Sequence, residues 1–191
     1  MKNSSSLKKN NKGLSLVEMI IVIAIMAVMV GMVSVGFGMV STRPVTQCAQ
    51  NMEICLNRCR THTMGKTNGF VAFYAETDGS VYMVEKLGFS NYDLNDSSDC
   101  GAVNYTKRLI GKKGVEVSCG TFDLIANHGT DNAIIFEFDR SDGSLKACGT
   151  LNSDDGSINS KPAEIIVKKG TRKTYTIEVQ KLTGKVVLTK G

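Results

Sequence analysis

The chain changes its rhythm of apolar and polar positions twice. Met19 to Val40 is an uncharged run in which only Gly31, Ser34, Gly36 and Gly38 interrupt the apolar side chains. Wound as a helix at ~1.5 Å per residue, it reaches roughly 33 Å, enough for a bilayer core. Val45, Cys48, Ala49, Met52, Cys55, Leu56 and Cys59 then recur at spacings of three and four. That is the apolar stripe of an amphipathic helix ending near Met64. Gln47, Gln50, Glu53, Asn57, Arg58 and Arg60 occupy its other faces, and Gly65 to Gly69 stops it. Pro44, between the two stretches, either kinks one long helix or opens a second.

From Phe70 onward the period falls to two. Phe70–Glu76 and Val81–Glu85 flank an Asp78-Gly79 turn, and Ala133–Asp139 and Leu145–Cys148 flank an Asp142-Gly143 turn. Both read as hairpins. Val115–Cys119 is a short strand, and Ala163–Lys168, Thr174–Gln180 and Lys185–Thr189 close the chain, with a turn at Thr183-Gly184. Leu87 to Lys113 carries few periodic signals, and Gly149 to Pro162 reads as a polar loop. A long helix followed by antiparallel strands predicts an α+β fold with a sheet on one helix face.

Charge sharpens this division. The chain has 191 residues and a net charge of +5, but Lys2, Lys8, Lys9 and Lys12 precede the apolar run without any acid. Removing them leaves the rest nearly neutral, which argues against nucleic-acid binding driven by bulk charge. Lysines ahead of an apolar span hold the N-terminus in the cytoplasm and send the downstream chain across the membrane. A cleaved secretory signal would have a shorter apolar core and a small-residue cleavage site. A plain signal anchor would have no use for Glu18, which lies between Val17 and Met19 at the edge of the apolar run. A carboxylate entering hydrocarbon costs a few kcal/mol and calls for a partner.

The segment Lys12-Gly13-Leu14-Ser15-Leu16-Val17-Glu18 resembles the processing site of type IV prepilins and pseudopilins. There a basic leader ends in Gly, and a Glu five residues on opens a long apolar helix. The resemblance implies cleavage by a membrane prepilin peptidase between Gly13 and Leu14 and N-methylation of Leu14. Leu14 departs from the commoner Phe, and the helix lacks the mid-membrane Pro of many major pilins. It also implies a leader at 1–13, a transmembrane and assembly helix at 14–40, an amphipathic continuation at 41–65 and an exported β-rich pilin-like domain at 66–191. The motifs Asn68-Gly69-Phe70-Val71-Ala72-Phe73-Tyr74, Ile134-Ile135-Phe136-Glu137-Phe138 and Thr174-Tyr175-Thr176-Ile177-Glu178-Val179 are similar to those of H-type minor pseudopilins of type II secretion. In those proteins a helix packs on two small antiparallel sheets. The implied partners are other pilins or pseudopilins in a filament, the prepilin peptidase, the cytoplasmic (inner) membrane and an assembly platform protein. The implied systems are type II secretion, DNA uptake (competence) or pilus biogenesis, with the protein ending in a cell-envelope or extracellular filament.

The physical logic of such a segment is assembly. Apolar helices gain little from meeting one another in lipid, so a polar pair must fix the register. The new amine of Leu14 and the Glu18 carboxylate of a neighbouring subunit supply that pair in low dielectric. The alternative from another class is a membrane-tethered module that binds DNA or adheres to a surface. Lys112, Lys113, Lys168, Lys169, Arg172 and Lys173 would serve it, although such clusters usually cover solvated faces or strand edges.

Six cysteines lie beyond the apolar run. Cys48, Cys55 and Cys59 share one helix face and read as small buried thiols. A Cys100–Cys119 disulfide and two free thiols stand level as readings of that pair. Cys55, Cys59 and His62 fit no common zinc spacing, and His128 sits in a turn-like segment. Asp154-Asp155-Gly156 reads as a polar turn rather than a calcium loop. We expect no catalytic constellation, no metal and no cofactor, and therefore no enzyme.

Overall fold

The computed structural model describes residues 15–40, 43–95, 98, 100, 104–151, 157–171 and 173–191, with residues 32–40 as backbone only. The chain divides into two units, Met1–Ser41 and Thr42–Gly191. The first contains helix α1, Leu16–Val40, which covers the uncharged run.

The second unit opens with helix α2, Arg43–Thr63. Pro44 lies in its first turn, where the missing N–H costs no intrahelical bond. Among the described residues eleven strands follow: β1 (Gly69–Ala75), β2 (Val81–Leu87), β3 (Tyr105–Gly111), β4 (Glu116–Cys119), β5 (Phe122–Asp123), β6 (Ile134–Phe138), β7 (Leu145–Leu151), β8 (Ile158–Ser160), β9 (Glu164–Lys168), β10 (Thr174–Val179) and β11 (Val186–Lys190). They form a six-stranded sheet in the order β3-β2-β1-β6-β7-β8 and a five-stranded sheet in the order β11-β10-β9-β4-β5. Every recorded strand pair is antiparallel. The fold is therefore α+β, with α2 packed against strands of both sheets.

The stripe on α2 forms the core as its spacing requires. Val45, Cys48, Ala49, Met52, Cys55, Leu56 and Cys59 are buried against Val71, Phe73, Met83, Phe136, Ile165, Ile177 and Val186. Thr63 is buried too, and its hydroxyl donates to the Cys59 carbonyl at 2.8 Å, as a helix-interior threonine can.

A second apolar layer covers the opposite face of the six-stranded sheet. Phe70, Ala72, Tyr74, Val84, Ile135 and Ala133 pack there with Leu94, beneath Phe89, Tyr92 and Tyr105. The Phe70 ring meets Phe89 edge-on at 4.6 Å. Phe89, Tyr92 and Leu94, from a stretch that shows little periodicity, thus serve as a cover, and β1 and β6 are buried on both faces. That is why they read as unbroken apolar runs rather than clean alternations.

Three strands were not expected: β3, β5 and β8. In the described sheets β3 and β8 end one sheet and β5 ends the other. An edge strand is paired on one side only and can leave its side chains in water; Lys107, Arg108 and Leu109 of β3 are exposed. Such strands carry charge and lose the apolar alternation that would announce them. Arg172 and Asp154 to Gly156 lie outside the described residues.

Candidate functional site

The start of α1 is closed by a reciprocal pair of hydrogen bonds. The Glu18 backbone N–H donates to Ser15 Oγ at 3.2 Å, and the Ser15 N–H donates to Glu18 Oε2 at 3.0 Å. Met19 N–H then donates to the Ser15 carbonyl at 3.2 Å, the first turn of the helix. This is a capping box, in which serine and glutamate three residues apart satisfy helix-start donors that have no intrahelical partner. The carboxylate also faces the positive end of the helix dipole. The sequence reading missed this role, although Ser-x-x-Glu before an apolar run was there to be seen.

The carboxylate is not used up. Ionised, it offers two oxygens with about four acceptor positions, and the cap engages Oε2 alone. Oε1 is left for a second donor among the described contacts. Gly13 and Leu14, the expected cleavage pair, lie outside the described residues.

Every side chain of α1 described, from Leu16 to Gly31, is exposed, and all but Glu18 and Gly31 are apolar. A helix that is apolar on all faces has no polar side to turn to water. The described side chains stop short of the about 20 residues that a span requires. Among the described residues, no helix is long and apolar enough to cross a membrane.

Residues 8–34 match the family described as the prokaryotic N-terminal methylation motif. The chain carries a type IV prepilin-type signal. The match spans Lys8, Lys9 and Lys12, the Gly13-Leu14 junction, Glu18 and α1 as far as Ser34. Such a signal implies processing by prepilin peptidase and assembly with other pilins. No curated protein and no solved structure is similar enough to the chain to match it.

The second unit places the other candidate residues. Cys48, Cys55 and Cys59 are buried thiols on α2. Burial pushes the Cys48 thiol up to about 12 and the Cys55 thiol to about 11, the latter aided by the nearby Glu85 carboxylate. Cys119 is buried, and its thiol donates to the Pro162 carbonyl, which the Cys148 thiol also approaches, whereas Cys100 lies in the charge environment of Tyr105. The sequence offered no sign of the Cys119–Cys148 approach, because β4 and β7 belong to different sheets.

His62 pairs with Glu85. Its Nδ1 lies 2.9 Å from Glu85 Oε1, and Arg58 Nε lies 3.3 Å from Glu85 Oε2. These two α2 side chains compensate a carboxylate that β2 buries almost fully. Glu137, also buried, accepts Tyr92 Oη at 2.7 Å and Lys146 Nζ at 2.6 Å. Both acids act as structural anchors for elements packed over the sheet. Among the described residues, no group of three or more ligating side chains could hold a metal ion. His128 is exposed in its turn.

The structure brings the β3–β4 turn against the β9–β10 turn. A Cβ placed on Gly114 would lie 3.7 Å from Lys169 Cε and Nζ. Lys168 pairs with Glu116 at 3.6 Å, and Lys173 donates to Thr46 at 3.2 Å while lying over the Tyr175 ring. Several of these cations are therefore occupied by their own fold.

Proposed function

We propose that the protein is a minor pilin or pseudopilin subunit of a type IV pilus-like filament and performs no catalysis. Prepilin peptidase cuts between Gly13 and Leu14, and residues 14–40 hold the trimmed chain in the membrane with the second unit exported. The reading is supported above all by a Glu18 that caps its own helix at the point where the methylation-motif match and the apolar run coincide. Within the family, the H-type minor pseudopilins are the group whose helix-on-two-sheets architecture the second unit resembles.

Glu18 has two tasks in this proposal. The cap fixes its carboxylate at the first turn, with one oxygen committed to Ser15. The other oxygen takes the Leu14 amine of a neighbouring subunit. A carboxylate without that partner, carried into a core of packed helices, would be strongly destabilising, so only registers that satisfy it persist. The cap reduces the ordering cost of forming that contact, because the carboxylate is already held in place. The apolar remainder of α1 moves between lipid and helix bundle at little net cost, which lets a weak polar preference decide the arrangement.

Co-expression with a prepilin peptidase tests the first step. The chain should shorten by its leader, with a new N-terminus at Leu14, and a bulky replacement of Gly13 should block the trimming. Retention of the leader in the working protein of the native host overturns the proposal. A second reading, a tethered DNA-binding module, draws on the meeting of the Gly114 turn with Lys169. It requires DNA affinity that falls steeply with salt.

A further inference from the structure

We infer that Cys119 and Cys148 form a disulfide that clasps the two sheets at the strand crossing between them. The chain leaves the six-stranded sheet at the end of β8, passes Lys161, Pro162 and Ala163, and enters the five-stranded sheet as β9. Cys148 of β7 flanks this crossover on one side, and the Lys161 N–H donates to its carbonyl at 3.0 Å. Cys119 ends β4 on the other side. Both thiols point at one acceptor: the Pro162 carbonyl lies 3.2 Å from Cys119 Sγ and 3.6 Å from Cys148 Sγ. Two sulfurs that approach the same oxygen this closely are near neighbours in space.

Strand positions free both residues from the constraint that makes bridges within one helix awkward. Their proximity pushes the Cys119 thiol down and, together with burial, the Cys148 thiol up. Thiol–disulfide exchange needs a thiolate as the attacking group, which the direction at Cys119 favours. Cys148 lines an open cleft of about 370 Å³, whose walls include Lys146, Lys161 and Lys181. Through it an anionic low-molecular-weight disulfide reaches the pair.

The oxidant is a disulfide, RS–SR. One protein sulfur displaces RS⁻ to give a mixed disulfide, and the second displaces another RS⁻. Two S–H bonds and one S–S bond are broken, one protein S–S bond and two RSH are formed, and the protein loses two electrons and two protons. The carbonyl of Pro162 gives up only weak S–H donors. Because an exported domain meets oxidising surroundings more often than a cytosolic one, the bond suits the destination proposed above. The inference itself does not depend on that destination.

The test uses the full-length protein in detergent, purified reduced and then incubated with oxidised glutathione. Trypsin leaves the two cysteines on separate peptides, since Lys113 and Arg140 bracket Cys119 while Lys146 and Lys168 bracket Cys148. Non-reducing mass spectrometry should show these two peptides joined, two hydrogens lighter than their sum, and separated again by reductant. The melting midpoint should rise by on the order of 10 °C on oxidation. In the C148S variant, both the linked peptide and the rise should vanish. The inference is overturned if both thiols of the folded wild-type chain remain alkylatable after incubation, or if the dominant linked product joins other cysteines. None of these readouts involves leader cleavage, so this test and the processing test fail separately.

Discussion

Gly184 and Gly170 have nearly the same backbone conformation, with φ of +62° and +58°, but different surroundings. A Cβ on Gly170 would meet nothing within 4 Å. A Cβ on Gly184 would fall 1.9 Å from the Gly143 carbonyl oxygen and 2.9 Å from Arg60 Nε. Arg60 Nε in turn donates to that same carbonyl at 3.1 Å, so α2, the β6–β7 turn and the β10–β11 turn lock together there. Gly170→Ala should therefore cost only the left-handed backbone penalty, about 1–2 kcal/mol. Gly184→Ala carries the same penalty and must also push two backbone turns apart and stretch the arginine bond. A lost hydrogen bond to a charged donor adds about 1.5–3 kcal/mol, less where water replaces it. The expected total for Gly184→Ala is about 3–4 kcal/mol, with a gap of about 2 kcal/mol between the variants. Thermal or urea unfolding of the full chain in detergent, followed by far-UV circular dichroism, measures the gap. At about 2–4 °C per kcal/mol, it should appear as a midpoint difference of roughly 4–8 °C. Equal losses in the two variants would refute the three-way contact, because backbone strain alone would then account for both.

Other measurements address the helices, the exposed turns and the thiols. Met52→Ala should destabilise the second unit by about 2–5 kcal/mol, because Met52 is fully buried, whereas Ile54→Ala, at a residue 61% exposed, should stay within about 0.5 kcal/mol; similar losses in denaturant melts would mean that α2 buries a different face. Glu18→Ala should still be trimmed by the peptidase yet fail to co-purify with the assembled filament, and normal incorporation would remove the assembly role. The Asp78, Asp139 and Asp142 carboxyls are held below the ordinary value of 3.8 by hydrogen bonds from Ser80, Ser141 and Ser144. Their small contribution to stability is therefore present above about pH 3.8 and lost as the pH falls through their lower folded values; a D78N/D139N/D142N variant should show a shallower acid decline in melting midpoint than the wild type. Native-state alkylation at pH 8 should leave Cys48 and Cys59 unmodified for far longer than in the unfolded chain, since burial raises both thiols, and fast labelling of either would contradict the packing of α2.

Local pattern made much of this protein readable. An uncharged run longer than any core helix needs, preceded by lysines and broken only at its lip by Glu18, defines the first unit without tertiary information. The stripe from Val45 to Cys59 shows which face of α2 is buried, because helical geometry brings those positions together wherever the helix packs. Both hairpins arise from Asp-Gly turns between apolar segments, which are local as well. The edge strands β3, β5 and β8 do not reveal themselves, since pairing on one side frees their side chains from burial.

What only the tertiary structure decided is which distant residues share a place. The covering of β1 by Phe89, Tyr92 and Leu94, and the burial of Glu85 beneath Arg58 and His62, depend on contacts between remote segments. So does the meeting of Cys119 with Cys148. The sequence itself determined the periodicities and the charged leader, because bond geometry converts near-neighbour spacing directly into faces of helices and strands. Partners far apart in sequence are chosen by the packing of whole sheets, and no spacing along the chain encodes that choice.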